Sequence, residues 1–497
     1  MIGRRLRACA LLVATACLCS LPARAAASAG DGREPFTEMV VVVHLHTSLV
    51  DGASTPLEIA RAARSAGIDA LVVTDHLLER VSYAPWPIGN FVGVSFSRPS
   101  VLALGVERYL RILAEAERLV PGIVILPGVE VTPYARFSGS LLSGTLELEG
   151  WHRHLLLIGL EDGPAIARLP VLGNRAGGRY NGWSLLALIP AVVIVWTTRR
   201  ILRPAEQEVR LGGFRLRRSR RPVPEAVLGV LCVGLMVVAF PFRVERYSPV
   251  GSDPGDAPYR DLIDRVHALG GIAYWAHPEA AADLEESHGF RLRTAPYPEL
   301  AVRTGADGFG ALPEGVKTLL PPGGIWDRAL ERSLLGPRPG SPLALAEVDE
   351  HRSAREIDFG ALQSVVLVRE TTRAGLLEAL QSGRLYGRWT PRGRAPLRLA
   401  DFRVEAEGRA ALAGQSMAVA GPVAIHLRVE GGDGTTVTAR LIRRGEVIWS
   451  ARQPPPIDAR IEDAAPRPTC YRIDVEGSYP YRLIGNPIAV LPGRTKE

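Results

Sequence analysis

Lysine is almost missing from this 497-residue chain: Lys317 and Lys496 are the only two, so its 59 basic side chains are nearly all arginine. Cysteine is scarce where it would matter. Of five, Cys9, Cys17 and Cys19 lie in an N-terminal apolar region and Cys232 in a later apolar run, leaving Cys470 alone. That excludes a disulfide framework. There is no Gly-x-Ser-x-Gly elbow, no Cys/His nucleophile pair and no phosphate-cradling P-loop, so the chain carries no signature of acyl-enzyme or P-loop chemistry. Its apolar runs also stop short of the ~20 residues that cross a bilayer unaided. What the chain does have is 47% apolar residues, enough for a sizeable core and too many for disorder along its whole length. Length alone suggests about three units, fewer if one is a barrel.

The 59 bases exceed 52 acids, a formal +7 that would suit nucleic acid if the cations shared a folded surface. They lie elsewhere. Arg4, Arg5 and Arg7 precede an apolar run from Ala8 to Leu21, followed by Ala23-Arg24-Ala25 as a cleavage site. This layout predicts a signal peptide over 1–29, with an uncleaved anchor as the alternative, and places Asp31 onward outside the cytoplasm. Two later apolar runs, Trp183 to Trp196 and Ala226 to Phe242, would be about 21 and 26 Å long as helices. Between them, from Thr197 to Pro222, stand nine arginines against Glu206 and Glu208. A short arginine-rich loop between apolar runs belongs in the cytoplasm, with Trp183, Trp196, Phe240 and Phe242 at the interfaces.

We therefore expect a transmembrane hairpin over 180–245 with a basic cytoplasmic loop 197–222. Both flanks would then share the periplasmic or extracellular side. A hairpin buried in a soluble domain is the alternative, and it would leave nine arginines to be solvated elsewhere. The signal region and this loop hold more than the whole formal charge, leaving the remainder at −4. The basic balance reports export and orientation; nucleic acid is not an expected partner, nucleotides stay open as substrates, and protein partners are not legible.

Ligand-type residues recur at the ends of apolar strands. Val40 to Val43 run into His44-Leu-His46-Thr47, two imidazoles spaced i, i+2 that an extended strand projects to one face. Asp51-Gly52 follows in a turn, then a helix from Thr55-Pro56 to Ala66 with Gly67 as its stop. Ala70 to Thr74 ends in Asp75-His76, Ile123 to Val129 in Glu130, Gly271 to Ala276 in His277, and Leu343 to Val348 in Asp349, with His351 beyond. In parallel α/β barrels the active site lies on the face where the strands end. His152, His267, His288 and His426 fall outside these motifs and read as ordinary polar positions.

Taken together, His44-Leu-His46-Thr with Asp51-Gly52, Thr74-Asp-His76, Pro127-Gly-Val-Glu130, His154-Leu-Leu-Leu-Ile-Gly, Ala276-His277-Pro and Asp349-Glu-His351 resemble the polymerase and histidinol phosphatase (PHP) superfamily. The resemblance covers roughly residues 38 to 160 and 258 to 390 and implies a distorted (β/α)7 TIM-like barrel with two or three divalent metal ions. His44, His46, Glu130 and Asp349 would hold one; Glu130 would bridge to a second held by His154 and His277; Asp51, His76 and His351 would hold a third. Zinc, manganese and iron all suit these donors. His152 competes with His154, whose following residues align better. Within the family the chain looks like the exported carbaryl-hydrolase type, through Leu376 to Tyr386 and a β region ending at Val490. The stretch Asp307-Gly-Phe-Gly-Ala-Leu-Pro departs from the family's usual strand, which puts the substrate pocket in doubt.

The expected organisation is a signal peptide (1–29), first barrel part (38–165), hairpin (180–245), second barrel part (256–393) and a small C-terminal β-sandwich (396–493). The expected activity is a metal-dependent phosphoesterase acting on a small, phosphorylated substrate with hydroxide supplied at the metals. Glu130, His277 and Asp75 are the candidate catalytic residues, Asp75 as ligand orienter or proton shuttle. A carboxylic-ester or carbamate hydrolase with the same centre, and a non-catalytic metal-binding membrane protein, are the alternatives.

Overall fold

Val40–Val43 are apolar and branched at Cβ, which suits an extended segment buried on both faces. They form the middle of β1 (Thr37–Leu45). The structure, a computed structural model, describes residues 36–83, 94–140, 143–202, 206–211, 214–219, 222–240, 242–287, 290–464 and 467–493. The signal-peptide expectation and His288 lie outside them.

After β1, the Thr55 hydroxyl accepts from the Glu58 N–H while the Glu58 carboxylate accepts from the Thr55 N–H. This reciprocal cap starts α1 (Pro56–Ser65). Then come β2 (Ala70–Val73), α2 (Val106–Leu119), β3 (Val124–Val131) and β4 (Leu155–Ile158). The two helices α3 (Leu188–Ile201) and α4 (Val223–Ala239) intervene before α5 (Ala257–Ala268) and β5 (Ile272–Trp275). The series ends with β6 (Gly308–Leu312), α6 (Ile325–Ser333), β7 (Leu343–Ala346), β8 (Leu362–Val368), α7 (Arg373–Ser382) and β9 (Leu385–Trp389).

The chain is a mixed α/β protein with one large sheet, in which these strands run in the order β7-β6-β5-β4-β3-β2-β1-β8-β9. Pairing is parallel for β1–β2, β2–β3, β5–β6 and β6–β7, but β4 lies antiparallel to both of its neighbours. The segment after β7 returns to β1, where Glu350 pairs with Leu45 in parallel and the Val348 N–H donates to Val43 O at 3.0 Å. Residues of β1 enter two cores: Met39, Val41 and Val43 join Leu156 and Tyr274, whereas Val42 and, past a register shift, Leu45 belong with Ile59 and Trp326.

The departure expected at Asp307 is corrected: Gly308–Leu312 is strand β6, inside the sheet. Asp307 is buried and accepts from the Ala273 N–H and from His267 Nε2, each at 2.8 Å, which gives His267 a structural partner. Two glycines make poor strand residues by propensity, so the tertiary position overrides the local pattern.

Beyond β9 the sheet continues through Arg482–Gly485, Thr469–Glu476, Val437–Arg443 and Glu446–Gln453. A second antiparallel sheet built on Leu397–Ala406 and Val423–Gly431 faces it across Val404, Ile425, Leu441 and Ile473. Arg472 ties this region to α6: its Nε and Nη2 each donate to Asp327 at 2.6 Å, and its guanidinium lies 4.8 Å from the Trp326 ring centroid.

The helices α3 and α4 lie against each other, close enough that a Cβ on Gly229 would stand 3.1 Å from Thr197 Oγ1. Many of their apolar side chains, among them Val192, Val195, Val230 and Val237, are exposed. Among the described residues one helical stretch, Ser184–Ile201, is long and apolar enough to cross a membrane; Val223–Ala239 is shorter. The segment between them is more than the loop expected at 197–222, because Glu206–Leu211 and Phe214–Ser219 pair as antiparallel strands.

Candidate metal centre

Strand ends bring the expected side chains to one place, by less regular backbone than alternation implies. At the end of β1 the register shifts between Val43 and Leu45, and His44 takes φ 73°. The bulge re-aims His44, so the i, i+2 rule does not describe this pair. His44 Nε2 lies 3.2 Å from Glu130 Oε1, and His46 Nε2 3.2 Å from Glu130 Oε2. His46 Nδ1 is held by Asp51 Oδ1 at 3.1 Å. Gly52 makes that turn possible, since a Cβ there would stand 2.4 Å from His46 O.

His76 follows β2 and pairs by backbone with Glu130; its Nδ1 is 3.2 Å from Glu130 Oε2 and its Nε2 3.5 Å from Asp51 Oδ2. His154 precedes β4 where the other ligand-type residues follow or end their strands. Because β4 runs the opposite way, its start lies at the edge where its neighbours end, and His154 Nδ1 reaches Glu130 Oε1 at 2.6 Å. His277 follows β5 with Nε2 3.5 Å from Glu130 Oε1. Asp349 follows β7 with Oδ1 3.4 Å from His44 Nε2 and 3.2 Å from His351 Nε2, and His351 Nδ1 is 3.2 Å from Asp51 Oδ2. His44, His277 and Asp349 all have positive φ (73°, 30° and 46°), conformations that cost of order 1–3 kcal/mol each in a non-glycine residue and that cluster at functional sites.

The electrostatics point to a cation. His44 Nε2, His46 Nε2, His154 Nδ1 and both oxygens of Glu130 are buried without hydrogen-bond geometry to any partner. Leaving such atoms unmatched costs about 1–3 kcal/mol apiece. Burial alone would raise the Glu130 carboxyl, yet His154, His44 and His76 hold it well below the usual carboxylate range. Burial opposes charge on His277, but Glu130 and Asp349 push it up to about 9. His76, more dominated by burial, falls to about 3. Among the described residues, four triplets each have their ligand atoms within 4.8 Å of one another: His44–His46–Glu130, His76–Glu130–His154, His46–Asp51–His76 and His46–Asp349–His351. This nitrogen and carboxylate donor set fits divalent ions.

Asp75 is fully buried, and its two oxygens accept from the Thr47 N–H at 2.7 Å and the Thr47 hydroxyl at 2.8 Å. It fixes the backbone that follows His46, which is the geometry of a ligand orienter. Glu347 was overlooked by sequence reasoning. Its Oε2 holds His44 Nδ1 at 3.0 Å and its Oε1 accepts from the His277 N–H at 2.6 Å. The signal was present as Glu347-x-Asp349, a second i, i+2 pair of ligand-type residues.

A cavity of about 630 Å³ opens over the cluster. Beside the ligand-type residues its wall includes Glu79, Arg98, His152, Asp283, Tyr297 and Glu314. His152 is therefore part of the site's wall and more than an ordinary polar position; its Nδ1 lies 3.0 Å from Asp283 Oδ2. Burial lifts the Glu79 carboxyl to about 7 against the pull of Arg98.

No protein-family model and no curated protein sequence matches the chain. Among solved structures, it is similar to a two-domain protein containing a predicted PHP-like metal-dependent phosphoesterase from Bacteroides vulgatus, at 13% identity, covering 91% of this chain and 95% of that one, with a TM-score of 0.36. A protein from Bifidobacterium adolescentis assigned as a metal-dependent phosphoesterase gives 16% identity over 64% of this chain and 90% of that one, with a TM-score of 0.28. An amidohydrolase from Chromobacterium violaceum gives 16% identity over 64% and 89%, with a TM-score of 0.27.

Proposed function

We propose that the chain is a metal-dependent phosphoesterase of the PHP type, near the exported carbaryl-hydrolase-like branch, whose first seven strands close as a distorted (β/α)7 barrel. The observation that carries this reading is the convergence on Glu130 of buried nitrogen and oxygen atoms that lack hydrogen-bond geometry, at the floor of an open cavity. His44, His46, Glu130 and Asp349 would hold one ion; Glu130, His154 and His277 a second; Asp51, His76 and His351 a third. Such ions lower the pKa of water and neutralise charge on the attacking and leaving oxygens of phosphoryl transfer. The protein's own contribution is positioning. Glu347 sets the tautomer and tilt of His44 while fixing the backbone at His277, and Asp75 anchors Thr47 beside His46.

We further propose that the chain is exported and held by α3 and α4 in the membrane, with the cavity on the periplasmic or extracellular side. The exposed apolar faces of both helices and the arginine-rich segment between them support this.

The test is purification in mild detergent, measurement of bound metal, and hydrolysis of aryl phosphates beside a His277→Ala control. Bound divalent metal and turnover that the substitution abolishes are expected. Protein without metal, or activity indifferent to His277→Ala, overturns the reading.

A further inference from the structure

Among the described residues that line the cavity, Arg98 is the one arginine or lysine, facing Asp51, Glu79, Glu130, Asp283, Glu314 and Asp349. Its place is built. The Arg98 N–H donates to Glu79 O at 3.0 Å and the Val101 N–H to His76 O at 3.0 Å, lacing the segment 98–101 to the chain that follows β2. The side chain then spans to the opposite wall. Its Nη2 pairs with the carboxylate of Glu285, on the strand Asp283–Ser287, while Nη1 stands 3.7 Å from Glu79 Oε1. Glu79 Oε1 is in turn 3.9 Å from His76 Nε2. The guanidinium is thus one carboxylate away from the ligand cluster.

This arrangement is poor as a purely structural ion pair. Arg98 and Glu285 are both about one-third exposed, so their pairing adds little stability. It does hold a planar, five-donor fork at the wall of an otherwise acidic cavity, the geometry that binds phosphate oxygens in bidentate fashion. Glu285 is exposed enough to be rehydrated when it lets go. A phosphate group can take its place on Arg98; a neutral ester or carbamate gains nothing from the exchange.

Resting on the phosphoesterase reading, we propose that Arg98 is the anion anchor of the site. It binds the substrate's phosphate oxygens after exchanging them for the Glu285 carboxylate, and so selects phosphoesters over uncharged esters. Glu285 is the competing occupant of the same fork.

The experiment uses the full chain in detergent, loaded with metal, and three variants: Arg98→Gln, Arg98→Lys and Glu285→Gln. Readouts are bound metal, equilibrium binding of inorganic phosphate, KM and kcat for 4-nitrophenyl phosphate, and hydrolysis of 1-naphthyl acetate. For Arg98→Gln we expect at least about tenfold weaker phosphate binding and a matching rise in KM, the scale of a lost charged hydrogen-bond pair. Metal content and any naphthyl acetate turnover stay at the wild-type level, and Arg98→Lys recovers part of the loss. Glu285→Gln tightens phosphate binding, an effect that misfolding cannot mimic. If the wild type hydrolyses the phosphoester and Arg98→Gln binds phosphate equally well, the anchor is wrong and the phosphoesterase reading stands. If the metal-loaded wild type neither binds phosphate nor hydrolyses the phosphoester, that reading falls and this inference with it.

Discussion

The cluster around Glu130 and the helical pair α3–α4 break the ordinary rules of burial in opposite senses. Glu130 is 1% exposed and both of its oxygens lack hydrogen-bond geometry to a partner, whereas Val237 on α4 is 71% exposed. One region buries charge, the other displays hydrocarbon. The C-terminal sheets differ from both: Val404, Ile425 and Leu441 lie in a core, and the charges they bury, Arg472 and Asp474, are met by opposite charge on Asp327 and Arg482. Each violation calls for a partner of complementary chemistry, which we propose is a cation for the first region and a lipid phase for the second. The two are also separable, because one depends on side-chain geometry at strand ends and the other only on helix composition.

The largest effect is expected at the carboxylate that five imidazoles face. Glu130→Gln keeps shape and removes the charge that His44, His46, His76, His154 and His277 all face. Metal content should collapse, and activity should fall by more than the ~10–100-fold typical of losing an outer partner. Metal analysis and single-turnover assays check this; full metal occupancy in the variant would remove Glu130 from the centre of the site. Glu347→Gln should give the ~10–100-fold loss itself, because the amide keeps one acceptor oxygen for two donors, His44 Nδ1 and the His277 N–H, and so unmakes one bond without removing a ligand. Gly310→Ala sharpens the point. A Cβ at 310 would stand 1.7 Å from Glu347 Oε1, so the carboxylate must leave its place. The two variants should therefore weaken metal binding alike, measured by chelator competition, although Gly310 touches no metal-ligand candidate.

Much of this site was legible because metal chemistry restricts residue type. Histidine and carboxylate at the ends of apolar strands are conspicuous, and α1 announced itself through Thr55-Pro56 and Gly67. What escaped depends on distant partners. Nothing local to Leu155–Ile158 says that it pairs antiparallel to both neighbours, yet that direction brings His154 to the same edge as His277. The bulge at His44 and the glycine at 310 answer to tertiary crowding, not to propensity. Asp75 carries the same atoms as a ligand and was distinguished from one only by where Thr47 lies. Arg98 meets a carboxylate 187 residues further on. The arginine-rich segment read as a loop because its charge pattern speaks to membrane topology and is silent about the strand pairing of Glu206–Leu211 with Phe214–Ser219.

The smallest effect on catalysis is expected from the largest cut. At the base of the helical pair, the Arg179 N–H donates to Val244 O and the Val244 N–H to Arg179 O, each at 2.9 Å. Two such bonds are the narrow pair of an antiparallel ladder, which a two-residue turn can close. Excising 180–243 and joining Arg179 to Val244 through Asn-Gly should therefore leave the strand-end cluster intact. Bound metal should match the full chain and kcat/KM should stay within about threefold, since well-separated sites act independently. Location should change completely, from the carbonate-washed membrane fraction to the soluble one. A hairpin that instead packs inside a soluble domain would leave a hydrophobic wound when cut, and the shortened chain would aggregate with its metal and activity lost together. In the uncut chain, protease added outside intact cells should spare 197–222, because α3 and α4 would carry that segment to the cytoplasmic face. Catalysis surviving the excision while membrane retention disappears is the outcome that separates a tether from a core.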